Sequence, residues 1–373
     1  SYIGKDSFQE ADVCGITTPI TKHNYLVKKV EDLPRVLKEA FYIARTGRPG
    51  PVVVDVAKDV FDTKLDYAYP ESVHLRGYSG ENIGDEREID AVVEAIRAAK
   101  KPLVFAGGGV ILSETADVLQ DIVRRLGAPS TATLLGLGAI PADEKGFLSF
   151  AGMHGSYGAN MAIQECDLLL CIGMRFSDRV TGKVSEFAPH AKIVHFEIDR
   201  AELNKNVAAD YRVLGDLSWS LPILRDKLAA FPDDFAAKFS PWLAHALELE
   251  AKHPFGYREE GDAIKPGALI SKVSSLMGRD AIGVTDVGQH QMWAAQFFKV
   301  YKPRHFLTSG GQGTMGYGLP AALGAKVGCP DSPVVLFSGD GSIMMNCQEF
   351  ATIADNDIDV KVVVIRNEIL GMV

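Results

Sequence analysis

The stretch Val334-Val335-Leu336-Phe337-Ser338-Gly339-Asp340-Gly341-Ser342, taken with Lys361-Val362-Val363-Val364-Ile365-Arg366-Asn367, decides how the chain reads. Its first part is a short apolar run between Asp331-Ser332-Pro333 and Gly339, the pattern of a buried parallel strand. Asp340 falls just past the carboxyl end of that strand, where open α/β sheets place ligands. The glycines on either side let the backbone turn sharply and come close to a ligand. A helix is expected from Asn346 to Ala354, and a second β-branched strand from Val360 to Ile365. Asn367 then falls past another strand end. Oxygen-bearing side chains at two adjacent strand ends suit one hard cation such as Mg²⁺, which takes carboxylate, carbonyl and phosphate oxygens in an octahedron. Gly-Asp-Gly alone is no more than a turn, because Asp and Gly favour turns for local reasons. The Asn that follows 27 residues after the Asp, with strand, helix and strand between, is what gives it weight.

Composition bounds the rest. A chain of 373 residues suggests two or three domains. With 47% apolar residues it can fill large cores, and no apolar run reaches the length of about 18 residues that a membrane span needs. The net charge of -9 argues against nucleic acid as the main partner. The five cysteines, Cys14, Cys166, Cys171, Cys329 and Cys347, form no C-x-x-C pair, and the scattered odd set suits a reducing compartment. Cys166 and Cys171 flank an apolar run and read as buried small hydrophobes. No targeting segment is visible. The chain opens abruptly at Ser1-Tyr2-Ile3 and stops abruptly at Gly371-Met372-Val373, so both ends are expected to be incomplete.

Taken in order, residues 1–65 hold a helix over Val30 to Thr46, the turn Gly47-Arg48-Pro49-Gly50 and a strand over Pro51 to Val56, with Lys58 beyond it. They read as the tail of an α/β domain. Residues 66–90 are turn-rich and read as a linker. A second unit, 91–220, has a helix over Glu88 to Ala99, the strand Pro102 to Ala106, the loop Gly107-Gly108-Gly109 and a helix over Ser113 to Leu126. Strands over Leu168 to Ile172 and Lys192 to Ile198 follow. A strand, a glycine run and a helix start can offer backbone amides to a phosphate, or can simply be a tight turn. Glu197-Ile198-Asp199 offers carboxylates to a ribose or to a neighbouring turn. Residues 221–262 form a helical connector with Pro222, Pro232 and Pro241 as breakers. The third unit, 263–373, has a helix over Pro266 to Met277, a strand over Ala281 to Asp286, the loop Gly288-Gln289-His290-Gln291, a helix over Trp293 to Phe298 and a glycine-studded run from Ser309 to Pro320. Strands alternating with helices argue for parallel sheets, hence an α/β fold of three units with the first incomplete.

Several stretches together resemble one family. The Gly-Asp-Gly and later Asn resemble the signature of thiamine-diphosphate enzymes. The wider match resembles the catalytic subunit of acetohydroxyacid synthase (acetolactate synthase) and runs along nearly the whole chain. It is carried by Ile3 to Asp12, Thr21-Lys22-His23-Asn24, Thr46 to Pro51, Gly152-Met153-His154-Gly155, Arg175-Phe176-Ser177-Asp178-Arg179-Val180-Thr181-Gly182, Val287 to Gln296 and Leu370 to Val373. The resemblance implies a pyrimidine-binding domain, an FAD-binding middle domain and a diphosphate-binding domain, in that order. It implies thiamine diphosphate held by Gly288, Gln289, His290, Gly313, Gly339, Gly341 and Ser342. Mg²⁺ would be held by Asp340, Asn367 and the main-chain oxygen of Ile369. Met315 would be the apolar residue that bends the cofactor, and Phe8, Gln9 and Lys58 would be active-site or substrate-channel positions. FAD would be held by Arg48, Gly107, Gly108, Gly109, Met153, His154, Gly155, Gly173, Arg175, Asp178, Arg179, Glu197, Ile198, Gly215 and Asp216, with no net redox part.

The implied reaction joins pyruvate, after loss of CO₂, to a second 2-keto acid, either pyruvate or 2-ketobutyrate, in branched-chain amino-acid biosynthesis. The implied assembly is a homodimer or homotetramer, because the two halves of each site come from different subunits, and the family commonly adds a small regulatory subunit. The location would be cytoplasmic in a bacterium, or stroma or matrix in a eukaryote. The sequence departs from the family in places. Arg366 stands where the family has a second Asn, Gln312 replaces an apolar residue, and Ala57 stands where Pro is common. The activating glutamate of the first domain has no counterpart, and Glu10 sits in a different motif. The 373 residues by themselves are therefore expected to be inactive. Competing readings are an FAD-independent catabolic synthase or another carboligase or decarboxylase of the superfamily, and a non-catalytic cofactor-binding module. A plain dehydrogenase is disfavoured because no G-x-G-x-x-G follows a strand.

Overall fold

The computed structural model describes residues 3–80, 82–257 and 263–373. The chain divides into two compact units, 1–83 and 84–373, and the break falls inside the stretch read as a linker. The connector expected over 221–262 includes 258–262, which lie outside the described residues.

The N-terminal unit has two parallel strands, β1 (His23–Val27) and β2 (Val52–Val56). Helix Leu33–Arg45, entered through the 3₁₀ turn Val30–Asp32 with Pro34 in its first turn, joins them. The helix buries Val36, and Val27, Val30, Ala57 and Val60 complete the small core. β1 was not apparent in the sequence. It is only five residues long and begins with His and Asn, which carry little strand signal.

The second unit holds two parallel sheets. The larger has β3 (Pro102–Ala106), β4 (Ser130–Ala132), β5 (Phe147–Phe150), β6 (Leu168–Ile172), β7 (Lys192–Glu197) and β8 (Tyr211–Leu214), in the order β5-β4-β3-β6-β7-β8. Helices cover both faces, so β3 and β6 are buried throughout and read as continuous apolar runs. On one face Ile89, Ile96, Leu119, Ile122 and Leu126 pack against Val104, Leu170 and Val194. On the other, Leu103, Phe105, Leu169 and Cys171 meet Ala159, Ile163 and Trp242. Cys166 and Cys171 are buried free thiols, and burial pushes both well up from the ordinary thiol value. β4, β5 and β8 are three or four residues long, too short to announce themselves in sequence.

Two element boundaries differ from the sequence reading. The loop Gly107-Gly108-Gly109 is the cap and first turn of a short helix, Gly108–Leu112, and the longer helix starts later, at Ala116. Pro222 does not break a helix: Leu217–Ala229 runs through it, and its Leu221, Leu224 and Leu228 lie in the core of the larger sheet. The N–H that Pro222 lacks would have bonded the Ser218 carbonyl, an interior loss that the burial of Leu221, Leu224 and Leu228 offsets.

The smaller sheet has β9 (Ile282–Thr285), β10 (Phe306–Leu307), β11 (Val334–Gly339) and β12 (Lys361–Ile365), in the order β10-β9-β11-β12. Pairing is parallel throughout, with Gly339 opposite Ile365 and Phe337 opposite Thr285. The expected helix from Asn346 to Ala354 is split. Asp340–Ile343 forms one turn directly on β11, a 3₁₀ turn follows, and Glu349–Asp355 is the helix proper. A further helix, Gly318–Gly328, follows the glycine run and was hidden by its glycine content. The core of this sheet also takes Leu137 and Phe150 from the larger sheet, packed with Phe298, Val300 and Phe337. Backbone bonds such as Ala142 N to Val300 O, and the Arg304–Glu114 ion pair, reinforce that junction.

Two measurements check this packing. Phe150→Ala removes a buried ring shared by the two sheets and is expected to cost about 3–5 kcal/mol in urea unfolding, in one cooperative transition; a cost below 1 kcal/mol contradicts the shared core. Burial holds the fully enclosed His195 imidazole below its ordinary value. The unfolded chain then binds more protons than the folded one below about pH 6.5, so this contribution is intact above that pH and is lost as pH falls. His195→Gln keeps a donor for the Met174 carbonyl and is expected to lose less stability than the parent between pH 7.5 and 5.5; an equal loss refutes the assignment.

Candidate active site

The smaller sheet brings the carboxyl ends of β9, β11 and β12 to one edge. A cavity of about 180 Å³ lies there, lined by residues that include Gly288, Gln289, His290, Gly313, Met315, Gly339, Asp340, Gly341, Ser342, Asn367 and Ile369. Every residue of the diphosphate and metal sets is thus on one wall or another of a single cavity. Trp293 and Leu370 to Val373 also line it.

Local structure explains how each is held. Gly288 (φ +152°) turns the chain from β9 into helix Gln289–Phe297, so Gln289 and His290 are its first turn and not a loop. No side chain caps that end, and its free amides and positive dipole end suit an anion. The His290 ring is sandwiched by glycines: a Cβ on Gly288 would come within 2.6 Å of its Cε1, and one on Gly339 within 2.8 Å of its Nδ1. Burial pushes this imidazole below its ordinary value, so it is neutral near pH 7. Its buried Nε2 has no hydrogen-bond partner among the described residues, which marks it for a ligand contact. Ser342 Oγ donates to the Val287 carbonyl at 2.9 Å and ties the turn after β11 to the turn after β9.

Asp340 and Asn367 sit at neighbouring strand ends because β11 and β12 pair in parallel. Asp340 Oδ2 accepts from the Glu368 amide at 3.1 Å. The Asn367 amide donates to Gln289 Oε1 at 2.8 Å, while its Oδ1 accepts from the Ile369 amide at 3.3 Å. Glu368 between them has φ +61°, a left-handed conformation in the turn whose amide reaches Asp340. Its carboxylate pairs with Arg366 at 2.5 Å, so the arginine that replaces the family's second Asn is engaged at the surface. Among the described residues no three His, Cys, Asp or Glu side chains gather as a metal cage. One carboxylate, one amide oxygen and one main-chain oxygen remain, a hard-oxygen set that suits Mg²⁺ completed by phosphate and water.

Sequence reasoning missed Asp286. This buried carboxylate ends β9 and accepts from three main-chain amides: Val287 at 2.8 Å, Gly316 at 2.9 Å and Gly318 at 2.8 Å. The signal was present, an Asp at a strand end beside the glycine run, but nothing in sequence said that the two meet.

The larger sheet gathers the flavin set at its own carboxyl edge. Gly107 to Gly109 follow β3, Gly173 and Arg175 follow β6, Glu197 and Ile198 end β7, and Gly215 and Asp216 follow β8. Met153, His154 and Gly155 follow β5. Met153, Arg175, Asp178 and Arg179 are exposed, and Arg179 pairs with Asp178 at 2.7 Å. Three of these glycines serve packing: side chains on Gly107 or Gly109 would collide with the backbone of Gly173. Glu197 Oε1 accepts from the Ile198 and Asp199 amides at 3.0 Å, and Asp216 caps helix Leu217–Ala229 through the Ser218 amide. Loops from a six-stranded parallel edge, two exposed guanidinium groups and the left-handed Gly173 fit a dinucleotide. Gln296 Nε2, at the far end of the helix that begins with Gln289, donates to the His154 carbonyl at 2.9 Å and connects the two edges.

Phe8, Gln9, Arg48 and Lys58 belong to the N-terminal unit. All four are exposed; Gln9 has φ +60°, and Lys58 opens the short helix Lys58–Phe61. The Glu10 carboxylate is committed to its own turn, accepting from the Gly4 and Ser7 amides, which hold it below the usual carboxylate range.

The fold and the cavity define an α/β protein whose smaller sheet has, at its carboxyl edge, a helix start that suits an anion and oxygen-bearing side chains that suit a hard cation. Comparison with known proteins agrees. Residues 89–224 match the family model of the thiamine pyrophosphate enzyme central domain, and residues 286–373 match that of the C-terminal TPP-binding domain. The whole chain is similar to acetolactate synthase 1, chloroplastic, of Nicotiana tabacum, at 45% identity over 373 residues. It is also similar to the acetolactate synthase large subunit of Corynebacterium glutamicum at 44% over 372 residues, and to the isozyme 3 large subunit of Escherichia coli K12 at 42% over 379. The chain spans 56%, 59% and 66% of those relatives, respectively. The chain belongs to the thiamine-diphosphate-dependent enzymes, in the acetolactate synthase family. Among the described residues no helix is long and apolar enough to cross a membrane.

Loss of the metal carboxylate gives the sharpest check. Asp340→Ala is expected to weaken Mg²⁺-dependent binding of thiamine diphosphate by on the order of 100-fold or more, since even outer-sphere partners of metals carry 10–100-fold. Calorimetric titration with and without Mg²⁺ measures it. Unchanged affinity removes Asp340 from the metal set.

Proposed function

We propose that the protein is an acetolactate synthase, a transferase that decarboxylates pyruvate and joins the remaining two-carbon unit to pyruvate or 2-ketobutyrate, in branched-chain amino-acid biosynthesis. The observation that carries this reading is the convergence of Asp340, Asn367, the amides of the first turn of Gln289–Phe297 and the unpartnered His290 Nε2 on one cavity. Thiamine diphosphate, when bound, supplies the carbon nucleophile and the electron sink that decarboxylation needs. The chain's own residues bind and position it. Asp340 and Asn367, with the Ile369 main-chain oxygen, hold Mg²⁺ against the diphosphate. Gln289, His290, Gly341 and Ser342 surround the diphosphate, and Gly313 and Gly339 keep their backbones low enough for it to approach. Neutral His290 holds its proton on a ring nitrogen and adds a hydrogen bond without a second charge. Met315 presents an apolar wall and, with Leu370 and Met372, excludes water.

FAD at the edge of the larger sheet is part of the same proposal, through Gly107 to Gly109, Met153 to Gly155, Gly173, Arg175, Asp178, Arg179, Glu197, Ile198, Gly215 and Asp216. Phe8, Gln9 and Lys58 are assigned to the substrate side. The working unit is a homodimer or a homotetramer. That the bacterial relatives are large subunits supports a small regulatory partner. The compartment is the cytoplasm in a bacterium or an organelle in a eukaryote.

The deciding experiment is a carboligation assay on the full-length gene product with pyruvate, Mg²⁺ and thiamine diphosphate, with and without FAD. Acetolactate that forms only with FAD is the expected result. Acetolactate formed equally well without FAD points to the flavin-free catabolic enzyme. A folded protein that binds the cofactors and gives no product contradicts both.

A further inference from the structure

The buried carboxylate of Asp286 has no role in the readings above, although it is 1% exposed and directly precedes Val287 of the cavity lining. A carboxylate so enclosed is costly unless its oxygens are well supplied with donors. Here the donors are main-chain amides of the glycine run. Oδ1 takes the amide of Gly316 as well as that of Val287, and Oδ2 takes that of Gly318. Gly318 must lack a side chain for this, because a Cβ would stand 2.8 Å from the Asp286 amide nitrogen and 2.9 Å from Oδ2. Gly316 has φ +89°, a left-handed conformation that favours glycine. From the opposite side Asn346 Nδ2 donates to the Gly316 carbonyl at 2.7 Å. A Cβ on Gly316 would approach that same nitrogen to 2.9 Å.

The residue Gly316 is therefore gripped at both ends, its N–H by a carboxylate from the end of β9 and its C=O by an amide from the turn after β11. Met315, the preceding residue, lines the cavity with Gly313. We propose that Asp286 and Asn346 are a pair of positioning residues that clamp Gly316 and so fix Met315 against the bound cofactor. The inference rests on the cavity being the thiamine diphosphate site, but the clamp itself is a property of the protein alone. A cap that served only helix Gly318–Gly328 would need the Gly318 contact and would leave the Gly316 grip, and Asn346, without purpose.

The test uses the full chain and two readouts. In the first, methionine-methyl NMR without cofactor resolves Met315 by its loss in Met315→Leu. Asp286→Asn, which swaps one acceptor oxygen for a donor, and Asn346→Ala, which frees the Gly316 carbonyl, are each expected to shift or broaden that resonance. In the second, thiamine diphosphate with Mg²⁺ is titrated by the fluorescence of Trp293, a cavity residue. Asp286→Asn is expected to bind at least ten times more weakly and Asn346→Ala about threefold more weakly. Because both act on one residue, the double variant should lose less than the product of the two. If Asp286→Asn does not fold, Asn346→Ala carries the test alone. A Met315 resonance unmoved in folded variants overturns the clamp, whatever the cavity binds. A parent that gives no saturable response overturns the cofactor reading and, with it, the clamp's purpose; parent-like affinity in both variants overturns the positioning role only.

Discussion

The parallel pairing of β11 with β9 on one side and β12 on the other is the constraint on which the site depends. It sets Phe337 opposite Thr285 and Gly339 opposite Ile365, so three chain segments leave the sheet at one level. Asp286, Asp340 and Asn367 then stand at adjacent strand ends with no further device needed. A slip of one residue in either pair would turn each side chain to the other face of the sheet. The register is secured by burial: Val335 and Phe337 pack on one face, Val334 and Leu336 on the other.

Around that edge the polar side chains mostly hold one another's backbones. Ser342 fastens the turn after β11 to the turn after β9, Asn367 fastens its own turn to Gln289, and Asp340 receives the Glu368 amide. The site is thus pre-formed, which lowers the ordering cost when a ligand arrives. His290 is the exception, a buried ring nitrogen left without a partner among the described residues. In a site otherwise so thoroughly bonded, that exception is informative. The junction with the larger sheet adds rigidity, because Phe150 and Leu137 fill the core beneath the cavity sheet.

Much of this was legible in sequence, for identifiable reasons. β3, β6 and β11 are buried on both faces and so appear as unbroken apolar runs, and the helix Pro266–Met277 has a proline at its start and a glycine at its end. The Gly-Asp-Gly turn was visible because Asp340 follows β11 directly. What stayed hidden depends on tertiary context. β4, β5 and β10 are too short to show a period, and helix Gly318–Gly328 contains glycines that local propensity counts against it. The first turn of helix Gln289–Phe297 holds His290 and Gln291, which look polar in sequence yet are buried here. Pro222 looked like a stop, but the buried Leu221, Leu224 and Leu228 hold the helix together through it. Asp286 was visible as an Asp at a strand end, but its role was not, since its partners Gly316 and Gly318 lie 30 and 32 residues away.

We propose that the carboxyl edge of the β10-β9-β11-β12 sheet anchors a magnesium diphosphate. A crystal structure of the protein with thiamine diphosphate and Mg²⁺ tests it most directly. One octahedral ion with Asp340, Asn367 and the Ile369 carbonyl at about 2.1 Å is expected, with the diphosphate over the first turn of Gln289–Phe297. An ion held elsewhere, or a cofactor lying away from that turn, contradicts it.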